Sequence, residues 1–230
     1  MNGFALPQLS RRARVAAVCA ALAIAPLAAF AATPVEAPAI PCASDSAKLL
    51  NGGQAGPGTS FSVAIGMTVT TPAKPVNGWF LARCNAEQVS FTRSDPVGKD
   101  FITALASHVG LEAWTDEEAF EGQVRRTVDS NRLPGQHMKT VSFQPATVDG
   151  RPCVDVLRTG IVDPQRNQDG STTPPMFTRE RVRACHLRDA RGPEAAVMIL
   201  FKEIALHDPL RFDDIAQPFL AAVTLPPWSR

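Results

Sequence analysis

In the stretch SFQPATVDGRPCVDVLRTGIV, Asp149-Gly150 separates two extended runs. An Asp-Gly pair suits a two-residue turn whose twist matches the strands on either side, and it is the strongest short-range signal for a β-hairpin. A loop of that length pairs Phe143 with Val156 and Pro145 with Val154. The next loop, DPQRNQDGSTTPPM, leads into FTRERVRACHLRD, which can return antiparallel to the second hairpin strand. The register of this third strand matters most, because a slip of one residue sends every side chain to the opposite face.

The amino terminus supplies an independent constraint on that register. Arg11, Arg12 and Arg14 precede an apolar run from Val15 to Phe30 and the small-residue pattern Ala29-Phe30-Ala31. This is the layout of a secretory signal peptide, with cleavage expected after Ala31. The run is about 16 residues long, short of the ~20 that span a bilayer, and no later segment qualifies, so no transmembrane segment is expected in the mature chain. Ser10-Arg11-Arg12 resembles a twin-arginine signal. Arg14, however, stands where that motif places a large apolar residue, and Val18 is too bulky for lipoprotein processing at Cys19. The general secretory route to a periplasmic or secreted location is therefore expected.

Cleavage leaves four cysteines, Cys42, Cys84, Cys153 and Cys185, and an even count in an exported chain points to two disulfides with three connectivities open. Setting Cys153 opposite Cys185 places Val154 opposite Ala184, Val156 opposite Val182 and Arg158 opposite Glu180 on one face. On the other face Asp155 meets Arg183, Leu157 meets Arg181, Thr159 meets Arg179 and Ile161 meets Phe177. Apolar meets apolar and two arginines meet acids, which is how cross-strand neighbours stabilise a sheet. The register thus selects Cys153–Cys185 and leaves Cys42–Cys84, each contributing about 3 to 4 kcal/mol by constraining the unfolded chain. Residues 32–58, rich in Pro, Ala, Ser and Gly, read as a flexible segment. The second bridge would tie it to the sheet, where it can cover an exposed edge. A single domain is expected over residues 59–230.

Around the three strands the pattern is mixed. Phe61, Val63, Ile65, Met67 and Val69 alternate as one half-buried strand; NGWFLARC and QVSFTR supply further short strands, and in FITALASHV helix and strand compete. In LEAWTDEEAFEGQVRRTVDSN, Thr115 and Glu118 form a capping box, Trp114 can pack on Ala119, and Phe120, Val124 and Val128 line one helix face. EAAVMILFKEIAL is apolar on both faces, as a central strand covered on two sides would be. In the last segment Asp208 is expected as cap and Pro209 as first helical residue, with Phe212, Ile215, Phe219 and Val223 on one side and a kink or split at Pro218. The fold class is therefore α+β, a mostly antiparallel sheet packed against one central and one C-terminal helix.

This order of elements over Phe61 to Thr224, with the ending RFDDIAQPFLAAVTL, resembles the PsbP/Mog1-like sandwiches. The resemblance lies in element order and implies an antiparallel sheet packed between helices and a non-catalytic binding or assembly role.

Chemistry is sparsely signalled. Cys185 and His186 are adjacent, but successive strand residues point to opposite faces, so they do not form a thiol–imidazole pair. The four histidines have no metal-ligand spacing, and no Gly-x-Ser-x-Gly is present. No catalytic residue, metal or cofactor is assigned. Loss of the signal peptide removes three of the 23 basic residues and none of the 22 acidic ones, so the mature chain has no basic field for nucleic acid. What remains is the row Arg179, Arg181 and Arg183, about 6 to 7 Å apart along one face, with Asp155 opposite the last. Guanidinium forks suit carboxylates and phosphates, which makes an acidic protein surface or a small anionic ligand the expected partner. A binding or interaction module is the favoured reading. A hydrolase-like or metal-dependent enzyme using His137 or His207 is the alternative.

Overall fold

The computed structural model describes residues 38–72, 78–94, 100–166, 170–187, 195–209 and 211–228. The expected signal peptide, with cleavage after Ala31, lies outside the described residues. In chain order the elements are β1 (Ile40–Pro41), α1 (Asp45–Leu50), β2 (Ser60–Ser62), β3 (Thr68–Thr70), β4 (Phe80–Cys84), β5 (Gln88–Ser94) and β6 (Asp100–Gly110). They continue with α2 (Glu117–Ser130), β7 (Gln136–Val148), β8 (Arg151–Val162), β9 (Met176–His186), β10 (Ala195–Ala205) and α3 (Phe212–Ala222).

Seven strands form one antiparallel sheet in the order β4-β5-β6-β10-β9-β8-β7. β10 occupies its centre, which accounts for its being apolar on both sides. Val197, Ile199 and Phe201 enter a core shared with α3 and the N-terminal elements. Ala196 and Met198 enter a second core with Phe120, Val124 and Val128 of α2. The protein is thus α+β, with α2 and α3 on opposite faces of the sheet.

The β7–β8 hairpin turns at Asp149 (φ 52°) and Gly150 (φ 77°). Two consecutive positive φ values are what a type I′ turn requires. Phe143 pairs with Val156 and Pro145 with Val154, while Cys153 pairs with Cys185, Val156 with Val182 and Asp155 with Arg183. Cys153 is bonded to Cys185 and Cys42 to Cys84, and two disulfides fit an oxidising compartment. The pairing breaks register between Met138 and Thr140. Opposite this bulge a Cβ on Gly160 would stand 2.5 Å from the His137 carbonyl oxygen, so the close approach of the two backbones needs glycine.

The structure differs from the sequence expectation at four places. Residues 40–58, expected to be flexible, are folded: Cys42, Ala47 and Ala55 belong to the core, so the domain begins well before residue 59. Gly52, Gly53 and Ala55 exchange backbone hydrogen bonds with Trp79 and Leu81, closing the outer edge of β4. The alternation from Phe61 to Val69 is a hairpin rather than one strand. β2 and β3 pair Phe61 with Val69, and Gly66 (φ 84°) turns the chain. Period-two patterning persists through so tight a turn, which is why it read as continuous.

The two main helices also start differently. α2 is capped by Asp116, whose carboxylate accepts from the Ala119 amide at 2.8 Å while the Thr115 hydroxyl donates to that same carboxylate. A charged acceptor at the positive helix end outcompetes the neighbouring hydroxyl. Trp114 packs on Phe120 (centroids 4.9 Å apart). α3 begins at Phe212, without a side-chain cap, and runs through Pro218 as one helix. Packing of Phe212, Phe219 and Leu220 into the core outweighs the proline's missing donor.

The α2 face also buries charge. Arg158 and Glu180, both 1% exposed, form an ion pair. Arg158 further donates to the Val128 carbonyl at 2.6 Å, in the last turn of α2, while Lys202 (2.8 Å) and Gln136 (3.0 Å) reach the other Glu180 oxygen. Burial pushes the Glu180 carboxyl pKa up, but Lys202, Arg158 and Gln136 together outweigh it and hold the value below the ordinary one. Glu180 is thus ionised in the folded chain at lower pH than in the unfolded chain. Its contribution is complete above about pH 4.3 and disappears as pH falls through the depressed folded value. Glu180→Gln leaves two buried cations without their acid and is expected to cost about 3 to 5 kcal/mol in urea unfolding at pH 7, with a smaller difference from wild type in strong acid.

Candidate functional site

Alternation along β9 puts Arg179, Arg181 and Arg183 on the α3 side of the sheet, with Cys185 at the end of the row. Each arginine is held within the chain. Arg183 makes a two-pronged pair with Asp155, Nε to Oδ1 at 2.7 Å and Nη2 to Oδ2 at 2.8 Å. The directly opposed register of β8 and β9 sets this geometry. The Arg183 pKa is raised, the hydrogen bonds it donates to Asp155 outweighing the opposing effect of burial.

Arg179 and Arg181 are arranged differently: both turn to Asp213 in the first turn of α3, at 3.1 and 2.9 Å. The carboxylate therefore complements the helix end and clamps α3 to the sheet at once. Arg181 also donates to the Gln217 amide oxygen at 2.9 Å. Arg179 lies 5.3 Å from the Phe212 ring centre, and its Nε is buried with no acceptor. Side-chain exposures of 24% and 17% leave both guanidinium groups reachable from solvent at the margin of α3.

Glu203 is the cross-strand neighbour of Arg179. Burial, and then Asp100, push its carboxyl pKa up, against the pull of Arg93 and Arg179. Three arginines thus face Asp155, Asp213 and a third acid, Glu203, whose charge is disfavoured.

The remaining sequence candidates fall elsewhere. Cys185 is bridged and His186 points to the opposite face, where its ring meets Trp114 (4.7 Å) and Phe120 (4.2 Å) and Glu117 approaches its Nε2 at 3.5 Å. His137 is exposed and pairs with Asp163 at 2.8 Å, and His207 is exposed. Asp214 pairs with Arg211. Among the described residues no three His, Cys, Asp or Glu side chains cluster to hold a metal ion, and no helix is long and apolar enough to cross a membrane. A cavity of about 240 Å³ between α3 and β3 is lined mostly by apolar groups, including Pro72, Ile215, Pro218 and Phe219.

Asp213 as partner of the arginines was not legible in the sequence. As a helix-start acid it had a sufficient local reason to be there, and only the packing of α3 across β9 brings it to the row. No protein-family model matches the chain, and no curated protein matches it significantly.

Because folding raises the Glu203 pKa, the protonated form is favoured in the folded state. The associated stability is complete below about pH 4.3 and is lost as pH rises through the folded value. Glu203→Gln is therefore expected to raise the melting temperature at pH 7, and the gain should vanish near pH 4. Thermal unfolding followed by circular dichroism at the two pH values reads this directly.

Proposed function

We propose that the chain works after export, in the periplasm or outside the cell, as a non-catalytic binding module that takes a carboxylate or phosphate group on Arg179 and Arg181. Two guanidinium groups sharing one carboxylate, Asp213, carry the proposal. Sharing leaves positive charge in excess at a partly buried place, where an added anion meets less screening than on open surface. Both side chains present planar forks able to bind such a group by paired hydrogen bonds. Arg183 contributes field rather than contact, being committed to Asp155. Leu157 and Thr159, next to the row on β8, are half-buried and offer a mixed surface on which an acidic protein segment could lie. Export rests on the arginine-led apolar leader and fits the two disulfides. A binding or assembly role also agrees with what the PsbP/Mog1-like order of elements implies.

Titration calorimetry with inorganic phosphate and with an oligoglutamate peptide tests this proposal. Arg179→Gln with Arg181→Gln should abolish binding. Asp213→Asn, which takes away the internal competitor, should strengthen it by about tenfold, equivalent to about 1.4 kcal/mol. If the arginines only fasten α3, Asp213→Asn lowers stability by about 1 kcal/mol or less and binding appears in no variant. That result, with folded protein throughout, would sink the proposal.

A further inference from the structure

A second arginine site lies at the start of β8. Arg151 is 1% exposed, yet among the described residues its guanidinium meets only neutral groups. Nη1 donates to the His186 carbonyl at 2.9 Å and Nη2 donates to the Pro226 carbonyl. The Trp228 ring centre lies 5.3 Å from the guanidinium carbon. Asp149 acts on it only through space, and no carboxylate forms an ion pair with it among the described residues. Its Nε is buried without an acceptor, as is the Trp228 indole N–H beside it. Every other buried or half-buried arginine on β8 and β9 has its own acid: Arg158 has Glu180, Arg183 has Asp155, and Arg179 and Arg181 have Asp213.

The groups that cover Arg151 belong to residues 224–228, Thr-Leu-Pro-Pro-Trp, which follow α3. This strap is fixed at one end by two backbone hydrogen bonds of 2.9 Å between Thr224 and Thr68. Leu225 packs against the core. The two prolines set an extended backbone and remove two donors, so beyond Thr224 the contacts to Arg151 are made by one carbonyl and one indole ring. Trp228 also meets the His186 ring at 6.2 Å, with Trp114 and Phe120 behind it. A proline-fixed extended segment laid on an aromatic wall, with an arginine at its end, is a mode by which domains recognise peptides. A neutral carbonyl is a weak counter-group for a buried cation, since burial costs several kcal/mol that only strong acceptors offset. A carboxylate in the same place would add charge–charge attraction and could accept two parallel hydrogen bonds from the fork, which a single carbonyl cannot.

We propose that Arg151 and the His186 ring, backed by Trp114 and Phe120, form a recognition groove for an extended, proline-containing peptide segment of a partner protein that presents a carboxylate to Arg151. Residues 224–228 are its resident competitor. The site is separate from the Arg179–Arg181 pair and needs no part of it. The strap holds the groove closed, and the fraction of molecules with the strap displaced sets the apparent affinity.

The test uses the full chain and a labelled peptide, acetyl-Thr-Leu-Pro-Pro-Trp, with a free carboxylate or a C-terminal amide, followed by fluorescence anisotropy. Trp228→Ala removes the competitor's anchor and should bind the acid about tenfold more tightly than wild type, and the amide about tenfold more weakly than the acid. Adding Arg151→Gln should abolish binding, with Arg151→Lys intermediate because it keeps the charge and loses the fork. Should the Arg151 variants fail to fold, the acid-to-amide ratio on Trp228→Ala alone decides. Equal binding of acid and amide, or binding of neither, by folded Trp228→Ala overturns the proposal. A wild-type dimer in sedimentation that Trp228→Ala abolishes would place a second copy's strap in the groove and overturn the partner assignment. Arg179→Gln with Arg181→Gln should leave peptide binding unchanged, so the two sites succeed or fail separately.

Discussion

The pairing of β8 with β9, in the register that sets Cys153 against Cys185, is the constraint on which the rest of the structure depends. Because strand side chains alternate, this one alignment sorts both strands by face. Val154, Val156, Val182 and Ala184 go to the α2 side, while Asp155, Arg179, Arg181 and Arg183 go to the α3 side. A slip of one residue would carry the valines into the arginine layer and the arginines beneath α2. The covalent bridge, the valine layer and the Asp155–Arg183 fork all demand the same alignment. Such agreement between independent local preferences separates the native arrangement from its competitors.

With the register fixed, the two faces handle charge in opposite ways. On the α2 side a single glutamate is closed off with two cations, an amide and a helix carbonyl, so its lone pairs are occupied and the group is inert. On the α3 side the count is the same, two cations to one carboxylate, but Asp213 is 41% exposed at the margin of a helix where water still reaches. The same residue types therefore give a sealed structural lock on one face and a water-accessible clamp between helix and sheet on the other. The difference lies in access rather than in stoichiometry or composition. Arg151 is a third case, a buried cation answered only by backbone carbonyls and an aromatic ring, and it owes that position to a segment that lies outside the sheet.

Legibility in the sequence followed the range of the forces involved. The hairpin at Asp149-Gly150, the partners of Cys153 and the face of each arginine follow from turn chemistry and from period-two alternation, and the central place of β10 from the loss of that alternation in an apolar run. Both are local and both survive in the chain as written. Residues 40–58 were misread because their composition predicts little apolar burial, yet Cys42, Ala47 and Ala55 are small enough to fill gaps in a core built by others. Strand-like alternation hid the turn at Gly66, and a sufficient local role hid the long-range one of Asp213. Arg151 and Trp228 carried no signal at all. An arginine after a turn and a tryptophan after two prolines look like surface residues until distant packing brings them together.

The strand order has a further consequence for how such a chain reaches its final form. β4-β5-β6 and β7-β8-β9 are each runs of consecutive strands, and each run carries one end of a disulfide or a whole one. Each can close over short loops, at small entropic cost and early. β10 then enters between β6 and β9, becoming the keystone that turns two half-sheets into one. Until it arrives, β6 and β9 present open edges of the kind that recruit other chains. The element that makes the sheet continuous is thus synthesised after the sheet's other six strands, and the interval before it docks is the period in which the sheet is most exposed to aggregation.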